Sequence, residues 1–230
     1  MSTNRRIASA SIILIIASSL GAIISLAKEM LVAKQFGISG FMDAYSAATA
    51  IPAIINNILL ATFGAVFIQV FIKYQRRDSE EAYYIASVVS NYLVLFLVLT
   101  SLLIGLCAPW IMRYGFYGLP AGTLTLSVHI LRVLCVMIVL GGMVGIASGI
   151  LNAQGQFSAP AFSNMLITAS TIWCILFLSG TAGVLAIAYG MIAGLVLQLC
   201  VLLPVLRRQG YRHSLSFDVG HPAMKEMLML

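Results

Sequence analysis

The sequence predicts an all-α fold, a polytopic bundle of transmembrane helices, and two observations support that prediction. Of the 230 residues, 61% are hydrophobic and only 9% are charged, which leaves too little polar surface to coat a water-soluble globule of this size. The apolar residues also gather in about six stretches, each near or above the roughly 20 residues that a helix needs to cross a bilayer. We therefore expect an integral membrane protein with about six spans.

The six apolar stretches give the expected spans in chain order. The first two are longer than a bilayer requires, so these helices are expected to tilt, break or project beyond the hydrocarbon. The short, uncharged connection at 152–159 predicts that the fourth and fifth spans are antiparallel neighbours. Together the spans form a predicted amino-terminal lobe over residues 1–206. We place them near residues 7–36, 43–72, 83–108, 124–151, 161–178 and 183–206.

Lysine and arginine in the connections predict the orientation of the spans. Basic clusters precede the first span, follow the second and follow the sixth, so all three lie on one side of the bilayer. Because cytoplasmic loops carry an excess of these residues, that side is expected to be the cytoplasm, with the amino terminus inside. The clusters are Arg5 and Arg6, then Lys73, Arg76 and Arg77, then Arg207, Arg208 and Arg212.

The carboxyl-terminal residues divide into two predicted parts. Residues 207–222 form a basic linker on the cytoplasmic side. Residues 223–230 begin another apolar helix and stop within it, at a length that cannot cross a bilayer. We therefore expect the chain to be a piece of a longer protein that ends at the start of a seventh helix.

Composition and motifs disfavour several functional classes. The formal net charge of +6 comes from short clusters between apolar runs, which is typical of topology signals facing anionic membrane lipids and not of a nucleic-acid-binding surface. No HExxH motif, histidine–nucleophile motif or glycine-rich phosphate loop occurs. The four cysteines lie inside apolar runs without CxxC spacing, so we expect buried thiols. We expect no enzyme activity, no cofactor and no metal site.

Ionisable residues near the junction of the first two spans are the strongest functional signal. Lys28 and Glu29 lie late in the first span, and Asp43 begins the second. Charge at membrane depth is costly and usually functional. Because adjacent positions on a helix point about 100° apart, Lys28 and Glu29 need not pair, and either could face Asp43 or Asn56. A polar cavity between helices is the favoured interpretation. The alternative is that Lys28 and Lys34 snorkel to the outer interface while Asp43 caps the second helix.

Two asparagines and a run of small residues complete the candidate features. Asn56 and Asn57 follow Pro52, and they either satisfy carbonyls freed by the proline or line the same cavity. Residues 141–149 include four glycines, which favours close helix packing over a moving helix contact. The predicted substrate-binding set is therefore Lys28, Glu29, Asp43, Asn56 and Asn57.

Two segments carry a resemblance to a known family. The first joins the charged residues at the junction of the first two spans with the small and apolar residues around them: Lys28 and Glu29, residues 32–37, Asp43 to Tyr45, Ile51 and Pro52, and Gly64 and Ala65. The second is the turn at 148–161. The first segment resembles the opening of the MurJ/MviN lipid II flippases of the multidrug/oligosaccharidyl-lipid/polysaccharide exporter (MOP) superfamily, and the second resembles that family's turn between its fourth and fifth helices.

The resemblance implies a fold, a substrate and a location. Members have about fourteen helices in two lobes, so this chain would be the first lobe, with a carboxyl-terminal lobe missing. The implied substrate is an undecaprenyl-diphosphate-linked cell-wall precursor, most simply lipid II for peptidoglycan synthesis, moved across the bacterial cytoplasmic (inner) membrane by alternating access. A cationic cavity would attract the diphosphate while the lipid tail stays in the bilayer.

This sequence departs from the family pattern at some positions, so other functions stay open. Lys28 stands where the family usually has arginine and Glu29 where it has aspartate, whereas Asp43 matches. Neutral Asn56, Asn57 and Ala22 occupy places where the family commonly has positive charge. An exopolysaccharide or O-antigen-type flippase, or a cation-coupled exporter of the same superfamily, remains an alternative. A non-transporting membrane scaffold is an alternative of another class.

Overall fold

The computed structural model describes residues 3–75, 79–214 and 216, with side chains described for 15–58, 71–75, 80–214 and 216. It is all helical over these residues, which confirms the predicted fold class. The predicted linker beyond 216 and the predicted seventh helix at 223–230 lie outside the described residues, as do Arg76 and Arg77. The helices are α1 Thr3–Phe36, α2 Gly40–Gln75, α3 Ser79–Gly115, α4 Ala121–Ala153, α5 Ser158–Ser163, α6 Met165–Ala182 and α7 Leu185–Arg208.

The helices match the six predicted spans, because α5 and α6 follow one another as a single crossing with a break at Asn164. Over the described residues, five segments are long and apolar enough to cross a membrane. The remaining predicted span, the second in chain order, lies in α2, which is 36 residues long with Pro52 inside it. Most observed helices extend a few residues beyond the predicted ends, and α3 continues through Pro109 to Gly115, past the predicted end of the third span at residue 108. The protein is therefore a multi-pass membrane protein.

The α4 helix forms the centre of the bundle. It packs against α2, α3 and α7, and half of its most apolar segment is buried. One hydrophobic cluster joins its amino-terminal half to α2 and α3 through residues such as Leu131 and Leu134. A second cluster joins Ile150 and Leu151, near its carboxyl end, to α3, α7 and Phe71.

Close packing at the α4 glycines, as predicted, is confirmed at two of them. A Cβ on Gly141 would lie 3.0 Å from the side-chain amide atoms of Asn56, and one on Gly142 would collide with the Cδ1 of Leu97. Both obstacles are side chains. A contact against backbone lies elsewhere: Gly190 and Gly194 of α7 face the backbone of α6, where a Cβ on Gly190 would lie 2.5 Å from the Cα of Thr171.

The turn after α4 ends the helix through a glycine in the left-handed region. Gly155 has φ of +76°, and its N–H donates to the carbonyl of Asn152 while the N–H of Gln156 donates to that of Leu151. This pair of hydrogen bonds is a Schellman motif, which satisfies the last carbonyls of the helix. It ends α4 and begins the turn toward α5. Within the described residues α5 contacts α4, whereas α6 packs mainly on α7 and α1, so the predicted pairing of the fourth and fifth spans is confirmed only next to the turn.

Candidate functional site

Lys28 and Glu29 form an ion pair on α1. The Nζ of Lys28 lies 2.8 Å from the Oε1 of Glu29, with 28% of the Lys28 side chain and 63% of the Glu29 side chain exposed. Lys28 is eight residues from the carboxyl end of α1 at Phe36, or about 12 Å along the helix axis. The structure thus brings together two charges that the sequence had left free to face other helices.

The α1 helix carries three distinct faces. One packs against α5 and α6 and includes Ala17, Val32 and the half-buried Lys28. A second is exposed and strongly apolar, with Ile16, Leu20, Ile23 and Met30, as expected of a surface in contact with lipid tails. The third is open but small and polar: its residues are Ser18, Ala22, Ser25, Glu29 and Ala33.

The α2 helix carries a similar small and polar face. Positions spaced three and four apart lie on one side of a helix, and on this side the residues are exposed or half-buried. The five residues of this face have no large apolar side chain, although exposed Ile54 borders them. The face therefore differs from the exposed surface of α3, which consists mainly of leucine side chains together with Phe96. The residues are Asp43, Ser46, Ala50, Ala53 and Asn57.

The two adjacent asparagines lie on different faces of α2. Asn57 is exposed on the small polar face, in line with Asp43. Asn56 is half-buried and points toward α4, where its Nδ2 lies 3.5 Å from the carbonyl oxygen of Met137. Asn56 therefore supports helix packing, and Asn57 remains available to a cavity or to another part of the protein.

The five predicted residues do not form one hydrogen-bonded network. Asp43 lies in the first turn of α2, where a carboxylate is favoured by the helix dipole. Within the described residues, its side chain forms no hydrogen bond or ion pair with Lys28, Asn56 or Asn57. The helices also pack on different partners, α1 mainly on α5 and α6, and α2 mainly on α4 and α3.

The small polar faces are the part of the site that we did not predict from the sequence. The sequence does contain a pattern for these faces, because serine and alanine recur at helical spacing beside Glu29 and beside Asp43. That pattern was hard to read from the sequence alone, since small residues also mark tight helix contacts in membranes. Only the exposure of Ser18 and Ser46 separates the two interpretations.

The arrangement suits the binding of an anionic group. The ammonium group of Lys28 offers three N–H donors, and in this structure it contacts one acceptor, the Oε1 of Glu29. An incoming phosphate oxygen would compete with the Glu29 carboxylate for the ammonium group. Over the described residues, no cluster of three or more His, Cys, Asp or Glu side chains is placed to hold a metal ion.

Cysteine labelling tests whether the small polar faces contact water. In the full-length protein with its native cysteines replaced, Ser46→Cys is expected to react with a membrane-impermeant maleimide, because the reactive thiolate forms only where water reaches it. Ile23→Cys, at an exposed position on the apolar face of α1, is expected to stay unlabelled. Equal labelling of both variants, or labelling of Ile23→Cys alone, would contradict the assignment of the two faces.

A comparison with protein families gives one match over most of the chain. The model for the family described as lipid II flippase MurJ matches residues 32–230, which include all of α2 to α7.

Curated relatives carry the same description. A probable lipid II flippase MurJ from Buchnera aphidicola subsp. Acyrthosiphon pisum is 30% identical over 192 residues, covering 80% of this chain and 37% of the relative. The lipid II flippase MurJ of Burkholderia cenocepacia is 27% identical over 219 residues, covering 91% and 42%. A probable one from Synechocystis sp. is 27% identical, covering 99% and 45%. The chain thus spans less than half the length of these relatives.

Solved structures share the fold. Lipid II flippase MurJ in an inward closed conformation superposes with a TM-score of 0.79 at 21% identity, over 95% of this chain and 46% of that one. A MOP superfamily transporter from Pyrococcus furiosus superposes with a TM-score of 0.75 at 19% identity, over 97% and 50%. The helices described above therefore have the arrangement of about half of such a transporter.

Proposed function

The chain belongs to the lipid II flippase MurJ family, and from that premise we propose that it forms the first lobe of a transporter that moves lipid II across the bacterial cytoplasmic membrane. The observation that carries the proposal is the family match over residues 32–230, which takes in five of the six crossings and the Asp43 face. The proposed role is transport by alternating access and involves no covalent chemistry.

Charge on α1 supplies the proposed recognition of the substrate. Lys28 would bind the diphosphate of an undecaprenyl-linked precursor as a point charge, without the two parallel hydrogen bonds of an arginine. The Glu29 carboxylate holds the ammonium group while the site is empty and is exchanged for phosphate oxygens on binding. The small side chains beside Glu29 and Asp43 leave room for the head group, while the lipid tail stays in the bilayer.

The proposed orientation places the amino terminus in the cytoplasm. Arg207 and Arg208 in the last turn of α7 and Lys73 in the last turn of α2 then lie on the inner side. The outer ends of α3 and α4 carry less positive charge, in agreement with the positive-inside bias. Exposed Trp110, Tyr114 and Tyr117 would form part of the outer aromatic belt.

Reconstitution of the full-length protein tests this function. Proteoliposomes that contain lipid II are expected to move lipid II to the opposite leaflet at a rate well above that of protein-free liposomes. The rate is measured by the accessibility of lipid II to an impermeant enzyme. Undecaprenyl diphosphate carrying an unrelated sugar serves as the control substrate. Equal movement of both lipids would indicate a broader flippase, and movement of neither would overturn the proposal.

A second candidate, transport of another ligand by the same fold, is favoured by one observation. Asn56, Asn57 and Ala22 are neutral where the resemblance implies positive charge. The Pyrococcus transporter, for which a reversed polarity of the binding pocket suggests a different function, shares this fold. Transport of a small cation but not of a polyprenyl lipid would select this candidate.

Restoration of a flipping mutant by residues 1–230 alone would exclude a non-transporting scaffold role.

A further inference from the structure

The chain reverses direction directly after α7. Gly210 has φ of +91°, its N–H donates to the carbonyl of Arg207, and the N–H of Tyr211 donates to that of Leu206. These bonds form a second Schellman motif, and its usual hydrophobic contact is present because Tyr211 and Leu206 share one buried cluster. The residues that follow therefore turn back toward the bundle. We call residues 209–214 the connector.

The connector is fixed to the inner half of α3 by hydrogen bonds. The hydroxyl of Tyr83 donates to the carbonyl of Gln209 at 2.8 Å, and the Nδ2 of Asn91 donates to that of Ser214 at 3.0 Å. Ser87 donates from its Oγ to the hydroxyl oxygen of Tyr211 at 3.3 Å. The connector is thus held at its beginning, middle and end.

Tyr211 is the central anchor. Only 8% of it is exposed, and its ring packs edge-on against that of Tyr83 with centroids 5.8 Å apart. The pKa of Tyr211 is raised above its ordinary value, because the effect of burial exceeds the opposing effect of hydrogen bonds with Ser87 and Ser90. Its neutral hydroxyl also lies 3.1 Å from the Nδ1 of His213, which orients that ring.

The anchored connector brings separated basic residues to one cavity. A space of about 410 Å³ lies at the end of α7, a size suited to a small ligand or head group. Arg207 and Arg212 are both exposed, and no carboxylate in the described part of the chain forms an ion pair with either. Among the described residues, two guanidinium groups therefore share one concave space with no carboxylate paired to either. The lining is Leu203, Leu206, Arg207, Tyr211, Arg212 and His213.

We propose that this cavity binds the phosphate group of an anionic phospholipid in the leaflet on the connector side, which is the cytoplasmic leaflet in the orientation proposed above. Arginine binds phosphate oxygens through two parallel hydrogen bonds, which suits the open guanidinium groups of Arg207 and Arg212. Leu203 lies one turn deeper on α7 and is exposed, so it offers an apolar wall to the first part of an acyl chain. Basic pockets at the cytoplasmic ends of membrane helices are suited to anionic head groups.

Photo-cross-linking tests the site in the full-length protein. Nanodiscs of phosphatidylcholine carry a small fraction of photoactivatable phosphatidylglycerol, and cross-linked peptides are mapped by mass spectrometry. Cross-links are expected in the peptide containing 203–213. The double variant Arg207→Gln, Arg212→Gln is expected to lose about tenfold or more of this signal, because two charge-assisted contacts are removed.

Arg208→Gln is the matched control. Arg208 is exposed in the same cluster but does not line the cavity, so its loss is expected to change the signal by less than about twofold. If the double variant and Arg208→Gln behave alike, or if photoactivatable phosphatidylcholine cross-links as strongly, the proposal is wrong. Competition by unlabelled phosphatidylglycerol against the unaltered protein gives a readout that does not depend on the folding of any variant.

A second arm identifies the source of the phosphate. Radiolabelled inorganic phosphate is added to the protein in nanodiscs made of phosphatidylcholine alone. Phosphate binding that depends on Arg207 and Arg212, with no lipid cross-link, would identify a soluble phosphate as the ligand, whereas lipid cross-linking confirms the membrane source. Loss of neither signal in the double variant would overturn both. None of these measurements requires flipping, so the result stands apart from the proposed transport.

Discussion

Adding one methyl group at each of Gly190 and Gly194 is expected to separate α6 from α7 and to destabilise the protein severely. The obstacle is backbone: the new Cβ would lie 2.5 Å from the Cα of Thr171 at one site and would collide with the Cα of Ile167 at the other. Backbone atoms cannot rotate away as a side chain can, so the helices must move apart. Overpacking costs typically 1–3 kcal/mol per site, and we expect about 4 kcal/mol for Gly190→Ala, Gly194→Ala together.

The measurement is the thermal or denaturant-induced unfolding of the protein in detergent, together with the yield of folded protein. Gly180→Ala is the matched control, because Gly180 lies in α6 and a Cβ there meets no atom within 4 Å. This control is expected to leave stability unchanged or to raise it by up to about 1 kcal/mol, since alanine is the better helix former. Equal stability of the double variant and Gly180→Ala would contradict the close α6–α7 contact.

Replacing Lys28 and Asp43 by alanine is expected to abolish most lipid II transport. Lys28→Ala removes the cation proposed to bind the diphosphate. It leaves the Glu29 carboxylate, whose negative charge repels the diphosphate. A hydrogen bond to a charged group contributes about 1.5–3 kcal/mol, so at least about a tenfold loss is expected from Lys28→Ala alone. Asp43→Ala removes the charge at the amino-terminal end of the small polar face of α2.

The measurement is the initial rate of flipping at matched protein levels in proteoliposomes. Lys34→Ala is the control, because Lys34 is an exposed lysine of the same helix that lies in line with the apolar face of Ile23 and Met30. It is expected to retain nearly the full rate. Unchanged flipping by the Lys28 and Asp43 variant at normal expression would remove these residues from the proposed mechanism.

The positions of the crossings followed from the sequence with small errors. The first five predicted spans lie within observed helices, the fifth within the consecutive α5 and α6, whereas the sixth was predicted to begin at residue 183 and α7 begins at Leu185. The main error was at Pro109, where we expected the third span to end and α3 instead continues to Gly115. A proline inside a membrane helix is tolerated because the freed carbonyl can be satisfied locally, so it is a weak end signal there.

The candidate site was predictable in its charged residues but not in its geometry. Lys28, Glu29 and Asp43 stand out in any apolar sequence. Which of them pair did not follow, since the helical spacing of Lys28 and Glu29 allowed either to turn away, and the structure joins them. The sequence gives no reason to distinguish Asn56 from Asn57. In the structure Asn56 packs against Met137 and Asn57 lies on the open face of α2.

The sequence by itself determined the fold class, the number of crossings and their approximate ends, because bilayer thickness converts runs of apolar residues directly into helix lengths. Only the tertiary structure decided which face of each helix is packed, which contacts lipid and which is open and polar. The reason is physical: lipid tails are as apolar as a leucine side chain, so an apolar residue such as Ile23 or Leu131 carries no mark of its neighbour. The same holds for the connector, whose return to α3 and whose shared cavity for Arg207 and Arg212 depend on a backbone reversal at Gly210.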